Sequence, residues 1–190
     1  MLHPVVFDIE TQFIFQEVKN DIKKLKVSVV GTYDYGTDQY ICYEESQLPK
    51  LFEKFEHAGE LIGFNSNKFD LPVLAPYYVG DITQFRSFDI MQEVEKMLGH
   101  RISLDDLAKA TLGTKKSGHG LDAIDWYRKG EMEKLKKYCL MDVKITKEIY
   151  DYGKKYGRLF YMSPYGKREI VVKFKRDIAP PAAVSLSLPF

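Results

Sequence analysis

Through the first third of the chain the apolar positions fall in short β-branched and aromatic runs; through the last third they recur every three or four residues. Residues 3–11, built on Val5, Val6 and Phe7, read as a strand. Residues 26–35 and 39–43 flank Gly36-Thr37-Asp38, a hairpin signal. A short helix is predicted over 48–57 after Ser46, then a short buried strand over 61–64, a turn over 65–68 and a helix over 70–78 with Pro72 in its first turn. Residues 85–88 are a candidate strand leading into a helix through Met97. Ser103 and Asp106 resemble a capping box for a helix ending near Gly113. Residues 115–120 read as a flexible linker, 121–128 as a helix, and 131–156 as a long helix with no internal proline. A strand-like run follows from Arg168, and residues 179–190 read as a tail. This mixture of strands and helices is that of an α/β domain.

Four acids interrupt these patterns. Side chains alternate along a strand, so Asp8 and Glu10 share one face while Phe7 and Ile9 take the other. Two like charges so placed repel unless a cation lies between them; a strand end fraying into solvent would also tolerate them. On the long helix, Leu135, Tyr138, Asp142, Ile145, Ile149 and Tyr152 form one stripe, with Tyr138 a single turn before Asp142. An acid at the stripe's edge, paired with Lys137 or Lys144, fits the same spacing. Asp70 opens the 70–78 helix, where it would also serve as a cap. A buried ionised carboxylate costs several kcal/mol unless compensated, and divalent metal is the simplest compensation for all four.

Taken together, Asp8-x-Glu10 on the first strand, Asn65-x-x-x-Phe69-Asp70 near mid-chain and Tyr138-x-x-x-Asp142 on the late helix resemble the three motifs of the DEDD 3′–5′ exonucleases. Tyrosine at 138 is the mark of the DEDDy branch. The likeness is closest to the proofreading exonuclease domain of family B DNA polymerases and its free-standing relatives. Phe88-Asp89-Ile90, Ser103-Leu104-Asp105-Asp106-Leu107-Ala108 and Leu112-Gly113 agree with it, and it covers roughly residues 4–152.

The resemblance implies an RNase H-like mixed sheet flanked by helices, residues 1–176 forming a single exonuclease domain and 177–190 a C-terminal tail. It implies two Mg2+ or Mn2+ ions, with Asp8 shared between them, Glu10 and Asp142 on the first and Asp70 on the second, partly through water. Oxygen ligands suit such hard cations, and a two-metal site activates water and stabilises the leaving 3′ oxygen. Tyr138 would orient the attacking water, and Thr11, Asn65 and Phe69 would touch the terminal nucleotides. Asp89 would contribute to the site or only cap the helix after it. The implied reaction releases nucleoside monophosphates from single-stranded DNA 3′ ends. An exoribonuclease of the RNase D kind shares these motifs, and a non-catalytic nucleic-acid-binding RNase H-like domain shares the fold, although such domains usually lose a site acid.

Composition is consistent with a globular enzyme: 190 residues, 45% hydrophobic. At this length no polymerase module is expected alongside the exonuclease. No run approaches the ~18 apolar residues of a membrane span, so a soluble, cytoplasmic protein is expected. Cys42 and Cys139 lack pairing or metal spacing, and His3, His57, His100 and His119 form no ligand cluster, which argues against zinc. The net charge of +1 is unevenly divided: residues 1–100 hold 9 basic and 16 acidic side chains, residues 101–190 hold 19 and 11. Basic residues from Lys154 to Arg176 interleave with Tyr156, Phe160, Tyr161, Tyr165 and Phe174, a composition that suits single-stranded nucleic acid and equally a solvated face over a small aromatic core. Leu186, Leu188 and Phe190, in residues 186–190, resemble the short hydrophobic peptides that dock on the bacterial sliding clamp, without their usual glutamine; packing back on the domain, or disorder, is the alternative.

Overall fold

The computed structural model describes residues 2–114 and 120–174. A central five-stranded sheet runs in the order β3-β2-β1-β4-β5, from β1 (Val5–Thr11), β2 (Val27–Asp34), β3 (Gln39–Glu44), β4 (Leu61–Gly63) and β5 (Ser87–Asp89). The first three strands are antiparallel neighbours, and β4 and β5 continue parallel to β1. Helices α1 (Leu48–Glu56), α2 (Asp70–Leu74), α3 (Ile90–Leu98), α4 (Leu104–Leu112), α5 (Gly120–Arg128) and α6 (Met132–Tyr156) accompany the sheet. This is a mixed sheet flanked by helices, the RNase H-like α/β arrangement the sequence leads one to expect.

Strand alternation divides the core in two. Val5, Phe7 and Ile9 pack with Leu51, Phe52 and Phe55 of α1 on one side of β1, while Val6 joins Val143 and Ile149 of α6 on the other. Asp8 and Glu10, in phase with Val6, therefore face the α6 side. Burying this much apolar surface on both faces, at about 25 cal/mol per Å2, is what holds an otherwise short-stranded sheet together.

The structure departs from the pattern-based reading in two places. The helix expected over 70–78 stops at Leu74 and gives way to a 3-10 turn over Ala75–Tyr77, because Pro76 has no N–H to continue the α-helical ladder. The segment after α6 holds two strands, not one: Gly157, at φ +67°, ends the helix, and β6 (Arg158–Ser163) then pairs antiparallel with β7 (Gly166–Val171) in a separate hairpin. Its inward residues, Leu159 and Ile170, are buried, but the aromatic and basic side chains between them conceal the alternation. Residues 115–119, assigned to a linker, and 175–190, with Lys175, Arg176 and the clamp-like 186–190 segment, lie outside the described residues. None of the described helices is long and apolar enough to cross a membrane.

Candidate metal centre and nucleic-acid cleft

The close approach of α6 to the sheet starts at a residue with no side chain. Gly31 stands opposite Asp8 in the β1–β2 ladder, and a Cβ built there would lie 2.9 Å from Cγ2 of Val143 and 3.0 Å from Sγ of Cys139. Only glycine lets the helix lie this near the strand. The Gly31 N–H donates to the Cys139 sulfur at 3.1 Å, and the Cys139 thiol in turn faces the Asp8 carbonyl oxygen at 3.4 Å.

One turn further along α6, Asp142 reaches the Asp8 side of β1. Asp8, Glu10 and Asp142 each offer a carboxylate oxygen, and these oxygens all lie within 4.8 Å of one another. Asp142 is buried, and the other two are half-buried. Three carboxylates at this separation repel when ionised, and an all-oxygen anionic donor set fits a hard divalent cation such as Mg2+ or Mn2+. The neighbouring sulfur does not change that chemistry. Burial, a hydrogen bond with Cys42 and the charges of Asp8 and Glu10 raise the Cys139 pKa well above its ordinary value, which keeps it a neutral thiol in the metal-free protein.

Asp70 lies beside this trio but outside it. It is the first residue of α2 and does not cap it: Phe69 holds the cap position without a side-chain bond. Its Oδ1 instead accepts the Ile9 N–H at 3.2 Å, tying α2 to β1 between the two strand acids. Burial pushes the Asp70 carboxyl up to about 8; its own N–H works against this, the Asp89 charge adds to it, and the Ile9 N–H opposes it.

Tyr138 sits one turn before Asp142, as its spacing predicts, with its ring edge-on to Trp126 of α5 at 5.6 Å between centroids. Trp126 thus packs against that phenol. Asp89 proves to be both a cap and a brace. Its carboxylate accepts the Gln92 N–H at the start of α3, the Asn65 N–H at 2.8 Å and the Asn67 N–H at 3.0 Å. These bonds hold the 65–67 turn, where Asn65 adopts φ +66°.

The remaining expected contact residues fall in two depressions. Asp8, Asp142 and Asn65 line a cleft of about 440 Å3 together with Arg101 and Ser103. Thr11 and Phe69 line a second of about 380 Å3 with Phe15 and Ile124, where the Thr11 hydroxyl donates to the Phe13 carbonyl and Phe15 packs against Phe69. Arg101 is the residue that sequence reasoning passed over. It lies in the loop between α3 and α4, where no periodicity marks it, and its Nη2 donates to Asn65 Oδ1 at 2.8 Å. It brings a cation to the wall of the cleft that Asp8 and Asp142 also line.

No curated protein matches this chain. Its fold is similar to that of the family B DNA polymerase from the hyperthermophilic archaeon Pyrobaculum calidifontis, with a TM-score of 0.62 at 17% identity; the match covers 81% of this chain and 25% of that one. The chain thus spans about a quarter of the polymerase it matches. The RNase H superfamily model matches residues 5–153, a span that runs from the start of β1 to beyond Asp142, and on that match the chain belongs to the RNase H superfamily.

Proposed function

We propose that this protein is a metal-dependent 3′–5′ exonuclease that releases nucleoside monophosphates from single-stranded ends, with DNA the favoured substrate. The observation that carries the reading is the convergence of Asp8, Glu10 and Asp142 within 4.8 Å, with Asp8 and Asp142 at the wall of an open cleft. A nuclease superfamily supplies the chemical setting, and the likeness to a polymerase that carries such a fold favours DNA.

Asp8, Glu10 and Asp142 would hold one Mg2+ or Mn2+ ion, and Asp8 with Asp70 a second. When bound, these ions supply Lewis-acid stabilisation of charge on the attacking and leaving oxygens. Asp70 is already held against β1 by the Ile9 N–H. Tyr138, braced by Trp126, orients the water that attacks the terminal phosphodiester. Arg101 positions a phosphate by charge-assisted hydrogen bonding, with Asn65 as its fixed neighbour. Thr11 and Phe69 receive the terminal nucleotides in the adjoining depression.

Digestion of matched 5′-labelled DNA and RNA oligonucleotides tests this reading. A ladder shortening one nucleotide at a time from the 3′ end, dependent on Mn2+ or Mg2+ and faster on DNA, is expected. Faster digestion of RNA would reassign the enzyme as an exoribonuclease. Binding of either strand without hydrolysis under any metal would make it a non-catalytic nucleic-acid-binding domain.

A further inference from the structure

The loop between α3 and α4 has a residue in each of two cavities. Arg101 and Ser103 line the acid-bearing cleft, while His100, the residue immediately before, lines a cavity of about 620 Å3 with Tyr161, Tyr165 and Arg168 of the β6–β7 hairpin. The His100 and Tyr161 rings lie 6.4 Å apart, edge to face. The hairpin is firmly seated: Leu159 and Ile170 are buried, and Thr111 of α4 both donates to and accepts from the Phe160 backbone.

The hairpin's two faces differ in what they leave available. On one, Arg158 pairs with Glu169, and the Lys167 ammonium sits 4.5 Å from the Phe160 ring centroid, so cations and aromatics already satisfy one another. On the other, Tyr161 and Arg168 stand opposite each other in the ladder. Among the described residues the Arg168 guanidinium makes no ion pair or hydrogen bond. At the tip, Tyr165 is 87% exposed. An exposed aromatic beside an unengaged guanidinium is the pairing that takes bases by stacking and backbone by charge.

We infer that the β6–β7 hairpin is a second binding site for the same single strand: the strand leaves the acid-bearing cleft over the 99–103 loop, stacks bases on Tyr161 and Tyr165, and sets a phosphate against Arg168. The inference rests on the exonuclease reading for the direction of the strand, but the site itself is a binding surface that can be measured without cleavage. It makes affinity depend on strand length. A strand of about four nucleotides fills only the cleft, whereas one of about twelve spans both, within the site sizes common to such grooves.

The test compares wild type with the double variant Tyr165→Ala/Arg168→Ala, in which both altered residues are exposed; circular dichroism and melting confirm that the fold is kept. Fluorescence anisotropy in EDTA, with 5′-labelled DNA of about four and about twelve nucleotides, gives affinity; Mn2+-dependent digestion of both gives kcat and KM. The wild type is expected to bind the longer strand more tightly. The variant is expected to lose about tenfold on the longer strand, in Kd and in KM, with the shorter strand unaffected. Arg168→Ala alone is expected to lower the slope of log affinity against log salt by about 0.7, and Tyr165→Phe to bind as wild type does. Equal wild-type affinity for both lengths, or a variant that binds the longer strand as tightly as wild type, overturns the inference. If the wild type hydrolyses nothing, the exonuclease reading fails and the anisotropy still decides the hairpin site.

Discussion

The N–H of Gly31 donates to Sγ of Cys139 at 3.1 Å, a contact between the middle of β2 and the first half of α6. Because Gly31 is paired across the ladder with Asp8, and Asp142 lies one turn from Cys139, this contact sets how closely the carboxylates of β1 and α6 approach. A missing side chain on the neighbouring strand thereby controls the candidate metal centre.

Gly31→Ala should show this directly. The new methyl would meet Val143 and Cys139 at 2.9 and 3.0 Å, so α6 must shift outward. Overpacking of this kind typically costs about 1–3 kcal/mol. The melting temperature should fall, and Mn2+ affinity should fall further than the lost stability alone explains. A Gly31→Ala protein with wild-type Mn2+ affinity would show that the helix position does not control the cluster.

Metal should stabilise the fold. Carboxylates gathered within 4.8 Å repel in the metal-free protein, and an ion that binds only the folded state adds about 2.7 kcal/mol at a hundred times its Kd. For a domain of this size that is roughly 5–10 °C of melting temperature. Thermal melts with Mn2+ and with EDTA check this, and Asp8→Ala should shrink the difference. An unchanged melting temperature at saturating Mn2+ would contradict a preformed acidic cluster.

Asp70 makes the metal-free protein sensitive to pH. Its carboxyl is pushed up to about 8 in the fold, chiefly by burial, against ~3.9 in an unfolded chain. The folded state therefore holds a proton that the unfolded state releases. Its contribution to stability is complete below pH ~4 and is lost as pH rises through about 8. In EDTA, wild-type stability should decline from pH 5 to 8 relative to Asp70→Asn, whose amide is neutral throughout and can still accept the Ile9 N–H. Parallel curves for the two proteins would exclude a protonated Asp70.

The features most legible in the chain were the local ones carried by period. Alternation placed Asp8 and Glu10 on one face of β1, and the three-and-four spacing put Tyr138 and Asp142 a turn apart on α6. Features that depend on what crosses between elements were not legible. Asp70 looked like a helix cap because local capping chemistry favours it there; its partner is Ile9 on another strand, 61 residues away. Pro76 was visible, but not that the helix would yield to it. Of the β6–β7 hairpin only the strand-like run from Arg168 is legible, because between Arg158 and Val171 Leu159 and Ile170 alone are buried. Arg101 sits in a loop, where neither period applies.

Arg101 should matter to substrate binding more than to the chemical step. It shares the acid-bearing cleft with Asp8 and Asp142, and a phosphate contact positions the strand without reading sequence. Arg101→Ala is expected to raise KM about tenfold on single-stranded DNA, consistent with the loss of one hydrogen bond to a charged group, with kcat changed much less. A fall in kcat at constant KM would move Arg101 from positioning the strand to stabilising the transition state.

The most direct measurement compares wild type and Asp142→Asn, prepared in parallel, on a 5′-labelled single-stranded DNA with Mn2+, with and without excess EDTA. The substituted amide would keep the buried shape of α6 while removing one of the three converging charges. Stepwise loss of nucleotides from the 3′ end by wild type alone, abolished by EDTA, is the predicted result. Equal digestion by Asp142→Asn, or digestion that persists in EDTA, would contradict the assignment of the Asp8, Glu10 and Asp142 cluster as the metal centre of a 3′–5′ exonuclease.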